Sequence, residues 1–167
     1  MLDDRSQTPE HRYEELSGLA ETIEQRLPAA WRREIDEFFA RGMIAAAHAG
    51  PAVLAHNDLL AEHVLIDSGS PPWRVCGVID WGDVALADPA VDFVGLHCWA
   101  GAAFVREVRR HYRGPCDMND AAPRIAFIAQ CWALNDLAHV GVPRGRYSLQ
   151  RALHHVAMAF GSGEMNS

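Results

Sequence analysis

Apolar and polar positions repeat with two different periods along this chain. Over residues 9–27, apolar side chains recur every three or four positions with Glu and Arg between them, which predicts an amphipathic helix. A second stripe over residues 28–47 predicts another helix, which Gly50 and Pro51 end. After Pro89 the helical spacing returns and predicts four more helices, over residues 89–100, 101–112, 122–140 and 149–160.

The segment between these helical regions has a different pattern. The runs "PAVLAH", "HVLID" and "RVCGVIDW" are short, rich in β-branched residues and bounded by Gly and Pro, so we expect three short strands. The turn "SGSPPW" between the last two predicts a hairpin. Catalytic residues concentrate on loops that a rigid scaffold holds, so we expect any chemistry to lie here.

Composition narrows the class of protein. The 167 residues suit one domain, and 49% of them are hydrophobic, which is enough for a sizeable core. A net charge of −7 argues against nucleic acid as the partner and is compatible with a cationic substrate. No apolar run approaches the roughly 20 residues that span a bilayer, and the acidic N-terminus is unlike a secretory signal, so we expect a cytoplasmic protein without a membrane partner. All 15 cationic side chains are Arg, which excludes a mechanism that needs a lysine of this chain.

Two clusters of polar residues follow the strand-like runs. The first is "HND", with Asp58 at its end and His63 five positions later. The second is "DWGD", from Asp80 to Asp83. Two carboxylates fixed at strand ends can share Mg²⁺ or divide the roles of base and metal ligand. The alternative is that both are turn residues that cap local amides.

The paired motifs resemble those of the aminoglycoside phosphotransferase family, the antibiotic-kinase branch of the protein-kinase-like fold. Protein kinases carry H-R-D-x-x-x-x-N and then D-F-G after a hairpin. In this family the two motifs are often HGDxxxxN and IDxxD or IDWG. The segment "VIDWGDVALADPAVDF" of this chain closely matches the second motif. The resemblance is strong over residues 53–93 and loose over the helices that follow.

The resemblance implies a role for each motif residue. Asp58 would be the catalytic base, His56 would organise the loop, and Asp80 would bind Mg²⁺ that bridges the phosphates of ATP or GTP. His63 stands where many members have an Asn metal ligand, and the alternative is an ordinary hairpin histidine.

Two further acids have open assignments. Asp83 is either a third acid near the metal or a cap. Asp92 resembles the acid that braces the catalytic loop from behind in kinase-like folds, and the alternative is a helix-dipole partner. Asp88 has a plainer reading as a helix N-cap that is followed by Pro at the first helical position.

The resemblance also implies an architecture. We expect a mainly α (α+β) fold: a protein-kinase-like C-terminal lobe, built as a helical bundle with one or two short hairpins that carry the catalytic loop. Residues 1–161 would form that lobe, followed by a disordered tail at 162–167. Its three parts would be a helical segment at 1–50, the catalytic and metal-binding loops at 51–88 and a helical substrate subdomain at 89–161. The nucleotide-binding N-lobe, with its lysine and Gly-rich loop, is absent from these residues.

We therefore predict a small-molecule phosphotransferase that uses ATP or GTP with Mg²⁺. We expect these residues to form an incomplete enzyme. Its substrate would be small and cationic or hydroxylated, with Asp117, Asp120 and Asp136 as acids that can meet an amine. A homodimer or a separate N-lobe chain would complete it. The alternative is a non-catalytic helical binding module derived from such a kinase. A metal-dependent hydrolase is a weaker alternative, because the remaining histidines lack the HExxH spacing.

Overall fold

A computed structural model describes residues 9–41, 52–114, 121–141 and 148–161 of the chain. The helices are α1 (Pro9–Gly18), α2 (Ala20–Arg26), α3 (Arg32–Arg41), α4 (Val94–Arg110), α5 (Ala121–Ala138) and α6 (Leu149–Phe160). The strands are β1 (Val53–Ala55), β2 (Val64–Asp67), β3 (Arg74–Val78) and β4 (Ala85–Ala87). The fold is mainly helical with short antiparallel strand pairs, as the sequence predicts.

Helices α4, α5 and α6 pack against one another and form the centre of the core. Ile125, Leu134 and Leu137 of α5 are almost fully buried, as is Val156 of α6. An aromatic cluster joins the N-terminal helices to this core, because the Phe38 ring lies 5.6 Å from Phe127 and 5.8 Å from Phe160.

Several predicted boundaries need correction. Residues 9–27 form two helices, which separate at Leu19 (φ −105°, ψ 3°). The second predicted helix begins with a 3₁₀ turn, Ala29–Trp31, and continues as α3. Residues 42–51, the Asp117 and Asp120 region and the tail at 162–167 lie outside the described residues.

The region after Pro89 follows the predicted segmentation closely. A 3₁₀ helix, Pro89–Phe93, leads into α4, and Gly101 interrupts α4 with a non-helical backbone (φ 78°, ψ 178°) where a new segment was predicted to begin. Helix α6 has the predicted limits, and its N-cap Ser148 accepts a hydrogen bond from the Arg151 amide.

The four strands form two nested antiparallel pairs. Strands β2 and β3 form the predicted hairpin, whereas β1 pairs with β4, a strand that the sequence pattern did not predict. Leaving β1, the chain passes through residues 56–63 into β2, and after β3 it passes through residues 79–84 into β4. The nesting therefore brings these two loops to the same junction between the sheets.

No helix among the described residues is long and apolar enough to cross a membrane.

Candidate active site

The loop after β1, residues 56–63, is held at its first two amides. The His56 and Asn57 N–H groups donate to the two carboxylate oxygens of Asp92, at 3.0 and 2.8 Å. Asn57 adopts a left-handed backbone (φ 66°), which Asn tolerates better than most residues. The family whose motif this loop resembles often has Gly at the position of Asn57. Gly and Asn both tolerate this left-handed backbone conformation.

Side-chain contacts join this loop to the second one. The His56 Nε2 lies 2.9 Å from the backbone carbonyl oxygen of Ile79, and because a carbonyl only accepts, Nε2 carries the proton. The Trp81 ring packs on the His56 ring, with 4.7 Å between centroids, and its own Nε1–H donates to Val78 at 2.9 Å. Within the described residues, the buried His56 Nδ1 and Asn57 Oδ1 have no hydrogen-bond partner.

The ring of His63 lies between the two acid motifs. Its Nδ1 lies 2.8 Å from the backbone carbonyl oxygen of Asp58, so Nδ1–H is the donor. Its Nε2 then faces Asp80 Oδ2 at 3.5 Å. In the neutral ring, Nε2 presents a lone pair towards a carboxylate, which is an arrangement that a cation can bridge.

The backbone around Asp58 is fixed from two sides. Its carbonyl oxygen accepts from the Leu60 N–H at 2.9 Å as well as from His63. Helix α4 presses on the loop one residue later: a Cβ on Gly95 would lie 2.3 Å from the Leu59 carbonyl oxygen. Only a residue without a side chain fits this contact.

Asp80 is the more exposed of the candidate ligands. It has a left-handed backbone (φ 65°), and its side chain is 64% exposed. It begins the 3₁₀ turn Trp81–Asp83, whose last residue, Asp83, is also exposed.

The donor set can be tested against Mg²⁺. Among the described residues, no three His, Cys, Asp or Glu side chains come together to hold an ion. Mg²⁺ is usually held by one or two carboxylates with substrate phosphates and water, at about 2.1 Å, so neighbouring ligands lie about 3.0 Å apart. The His63 Nε2 and Asp80 Oδ2 atoms lie 3.5 Å apart, near this spacing, so these two side chains could share an ion whose other ligands are phosphate oxygens and water.

Acids elsewhere have structural partners. Asp88 caps Ala90 at 2.9 Å, as predicted, and its carboxylate also accepts from Arg124 Nε at 2.7 Å. Asp136 pairs with His155 Nδ1 at 2.9 Å, and burial raises its pKa although His155 and Arg151 lower it. Asp136 is therefore already partnered and is not available as a free acid for an amine.

Sequence reasoning missed two contacts of the loop. Arg151 of α6 makes an ion pair with Glu62, whose two carboxylate oxygens both contact Arg151 Nη2. No single-sequence signal points to a pair 89 residues apart. The Gly95 contact did leave a signal in the sequence, because a glycine inside a helical pattern costs about 1 kcal/mol relative to Ala.

Comparisons with known proteins agree with the motifs. The profile of the family described as "APH: Phosphotransferase enzyme family" matches residues 2–127. Viomycin phosphotransferase from Streptomyces vinaceus is 29% identical over 83% of this chain and 52% of its own length. The uncharacterized protein YcbJ from Bacillus subtilis (strain 168) is 35% identical over 46% of this chain and 21% of its own.

A solved structure shows the same fold. It is described as the GDP and kanamycin complex of APH(2")-IIia, and it superposes with a TM-score of 0.57 at 21% identity, over 88% of this chain and 50% of that one. The chain thus spans about half the length of that structure and of viomycin phosphotransferase. With a family match over most of its sequence and this fold, the chain belongs to the aminoglycoside phosphotransferase family of phosphotransferase enzymes and has a kinase-like fold.

Proposed function

We propose that this chain carries the catalytic and metal-binding loops of a small-molecule phosphotransferase that moves the γ-phosphate of ATP or GTP to a substrate hydroxyl. The observation that carries the proposal is the ring of His63, which links the Asp58 backbone at 2.8 Å and the Asp80 carboxylate at 3.5 Å. The nested strands bring together two motifs that lie 22 positions apart, in the order that phosphotransferases of this fold require.

Each loop residue has one role in this proposal. The Asp58 carboxylate accepts the proton of the substrate hydroxyl as its oxygen attacks the γ-phosphorus and the bond to the departing ADP or GDP breaks. General bases of this kind contribute about 10²–10⁴ in rate. His63 and Asp80, with Asp83 as a further acid beside them, would hold Mg²⁺, which when bound would supply positive charge against the transferring phosphates.

The remaining residues keep the loop in place. His56 organises it through Ile79, and Asp92 braces it through two amides. These contacts matter because phosphoryl transfer depends almost entirely on positioning and electrostatics.

The substrate class follows from charge and from one relative. We propose a small hydroxylated, cationic substrate, consistent with the net charge of −7. The name of viomycin phosphotransferase gives viomycin as the substrate of that protein. A second copy of this chain, or a separate chain with a nucleotide lobe, is the proposed partner.

The test combines a metal titration with a transfer assay. Water-proton relaxation with Mn²⁺, a spectroscopic substitute for Mg²⁺, should detect one site that Asp80→Asn removes and that Asp36→Asn, on an exposed face of α3, does not. Labelled ATP and GTP at millimolar concentration are then offered with viomycin and an aminoglycoside panel, and any transfer should fall at least about 100-fold in Asp58→Asn. A chain that binds Mn²⁺ equally well after Asp80→Asn would favour the non-catalytic binding module.

A further inference from the structure

An ion pair joins α6 to the loop that carries Asp58. The Arg151 Nη2 lies 2.7 Å from Glu62 Oε1 and 2.8 Å from Glu62 Oε2. Glu62 belongs to the 3₁₀ turn Ala61–His63, so the pair fastens the residue immediately before His63. Burial would raise the pKa of Glu62, but the hydrogen bond and positive charge of Arg151 outweigh it and hold that pKa below its ordinary value.

Helix α6 is fastened at a second point four residues later. His155 lies on the same face as Arg151 and pairs with Asp136 of α5 at 2.9 Å. Burial raises the pKa of the Asp136 carboxyl, and the positive charge of Arg151, together with His155, partly lowers it again. One face of α6 therefore connects the α5 carboxylate to the loop.

We infer that Arg151 is a positioning residue for the catalytic loop, which it holds through Glu62. The neighbouring His63 ring contacts both acid motifs, so a shift of the 3₁₀ turn moves that ring relative to Asp80. The inference rests on the proposed function for its catalytic meaning, whereas the mechanical link between α6 and the loop is independent of it.

The link should act locally. Both side chains are partly exposed, 37% for Arg151 and 49% for Glu62, and exposed ion pairs contribute little to global stability. Charge-assisted hydrogen bonds are nevertheless short and strong, and here one guanidinium nitrogen, Nη2, contacts both carboxylate oxygens of Glu62. Removal of the pair should therefore loosen residues 58–67 while the helical core stays unchanged.

Hydrogen exchange measured by mass spectrometry tests the link. Arg151→Ala should speed exchange several-fold in peptides that contain the Leu60 and His63 amides, with α5 peptides unaffected. The charge swap, Arg151→Glu with Glu62→Arg, should restore slow exchange, and Arg151→Lys should give an intermediate rate. Arg110→Ala is the matched control, because it breaks an exposed ion pair to Glu107 at 2.7 Å elsewhere.

Mn²⁺ affinity, followed by water-proton relaxation, separates this inference from the proposed function. If Asp80→Asn removes a site in the parent chain, Arg151→Ala should weaken that site several-fold, and unchanged affinity would overturn the positioning role. If the parent chain has no such site, the proposed metal role fails, and the exchange data alone decide the link. Unchanged loop exchange in Arg151→Ala, or failure of the charge swap to restore it, would overturn action through Glu62.

Discussion

Asp92 has the two oxygens that the start of the loop needs. Each accepts one backbone N–H, from His56 and from Asn57, and both of those residues are buried. A buried amide that loses its acceptor costs about 1–3 kcal/mol. The brace predicted from the motif thus has a specific physical basis at the level of single hydrogen bonds.

We therefore predict that Asp92→Ala lowers the free energy of unfolding by about 2–4 kcal/mol, because it leaves two buried amides without their acceptors. Asp92→Asn keeps one oxygen and should cost less. Urea denaturation at neutral pH measures both, with the exposed Asp36→Ala expected within about 0.5 kcal/mol of the parent. A loss below about 1 kcal/mol in Asp92→Ala would mean that the amides find other acceptors.

His97 makes stability sensitive to acid. Burial lowers its pKa below the ordinary value, although a hydrogen bond with the Met158 backbone partly raises it. The folded state therefore favours the neutral ring, and its stabilisation is present above the ordinary pKa and is lost as pH falls towards the folded pKa. One such group changes stability by at most about 1.4 kcal/mol per pH unit.

We expect the unfolding free energy of the parent chain to fall between pH 7 and pH 5 more steeply than that of His97→Gln, which has no titrating ring. Urea titrations at several pH values provide the comparison. His111→Gln, whose side chain is 76% exposed, is the control and should keep the parental slope. Parallel slopes for the parent and His97→Gln would contradict the role of burial.

Proximity was predictable where a motif fixed the spacing. The order and spacing of Asp58, His63 and Asp80 match a known pattern, and the structure brings the two motifs together at His63, while the Asp88 cap follows from local chemistry alone. Arg151 was not predictable, since its partner is distant in sequence and an arginine on a polar helix face has many possible neighbours.

At the scale of elements, local patterns predicted the helices and the β2–β3 hairpin. Strand β4 was missed because it has three residues and pairs with β1 across about thirty positions of chain. The pairing of β1 with β4 encloses the β2–β3 hairpin in sequence and brings the loops at residues 56–63 and 79–84 together. The break at Leu19 was missed because the apolar spacing continues through it, with Leu16 and Ile23 buried on either side.

The approach of α4 to the loop depends on Gly95. An added Cβ would meet the Leu59 carbonyl oxygen at 2.3 Å and Leu60 Cδ2 at 2.9 Å, so the backbones must separate. We predict that Gly95→Ala destabilises the chain by about 1–3 kcal/mol despite the better helix propensity of Ala. Thermal or urea unfolding measures this change.

Gly18→Ala is the matched control for that substitution. A Cβ there meets nothing within 4 Å, so the change should be neutral or stabilise by up to about 1 kcal/mol. If both alanine variants gained stability, α4 would have room to move away from Leu59 at little cost, and the loop would not be held by this contact.

At the scale of the whole molecule, the absence of lysine from these residues is the feature that bears on nucleotide binding. Kinases of this fold use a lysine to hold the nucleotide phosphates, and these 167 residues contain none. We predict that calorimetry with Mg·ATP detects weak binding or none, with a dissociation constant above the micromolar range. A micromolar constant would mean that arginines, or a second chain, replace the lysine.

Exposed apolar pairs on both sheets lead to the last prediction, which is self-association. Leu54 and Leu86 face each other across β1 and β4 and are 71% and 70% exposed, and the cross-strand pair Ile66 and Val75 is 54% and 63% exposed. Burial of the area that these four side chains still expose is worth roughly 4–8 kcal/mol, which reaches the lower part of the cost of about 4–15 kcal/mol for association.

A weak dimer is the expected balance, because symmetric dimers are the commonest way to cover a self-complementary patch. Sedimentation equilibrium at micromolar concentration should show species above 18.4 kDa. Leu54→Glu should shift them to monomer, because it places a charge in the contact, whereas Leu149→Ser, on α6, should not. A clean monomer that binds no hydrophobic dye would contradict the prediction and would mean that these apolar pairs remain exposed to solvent.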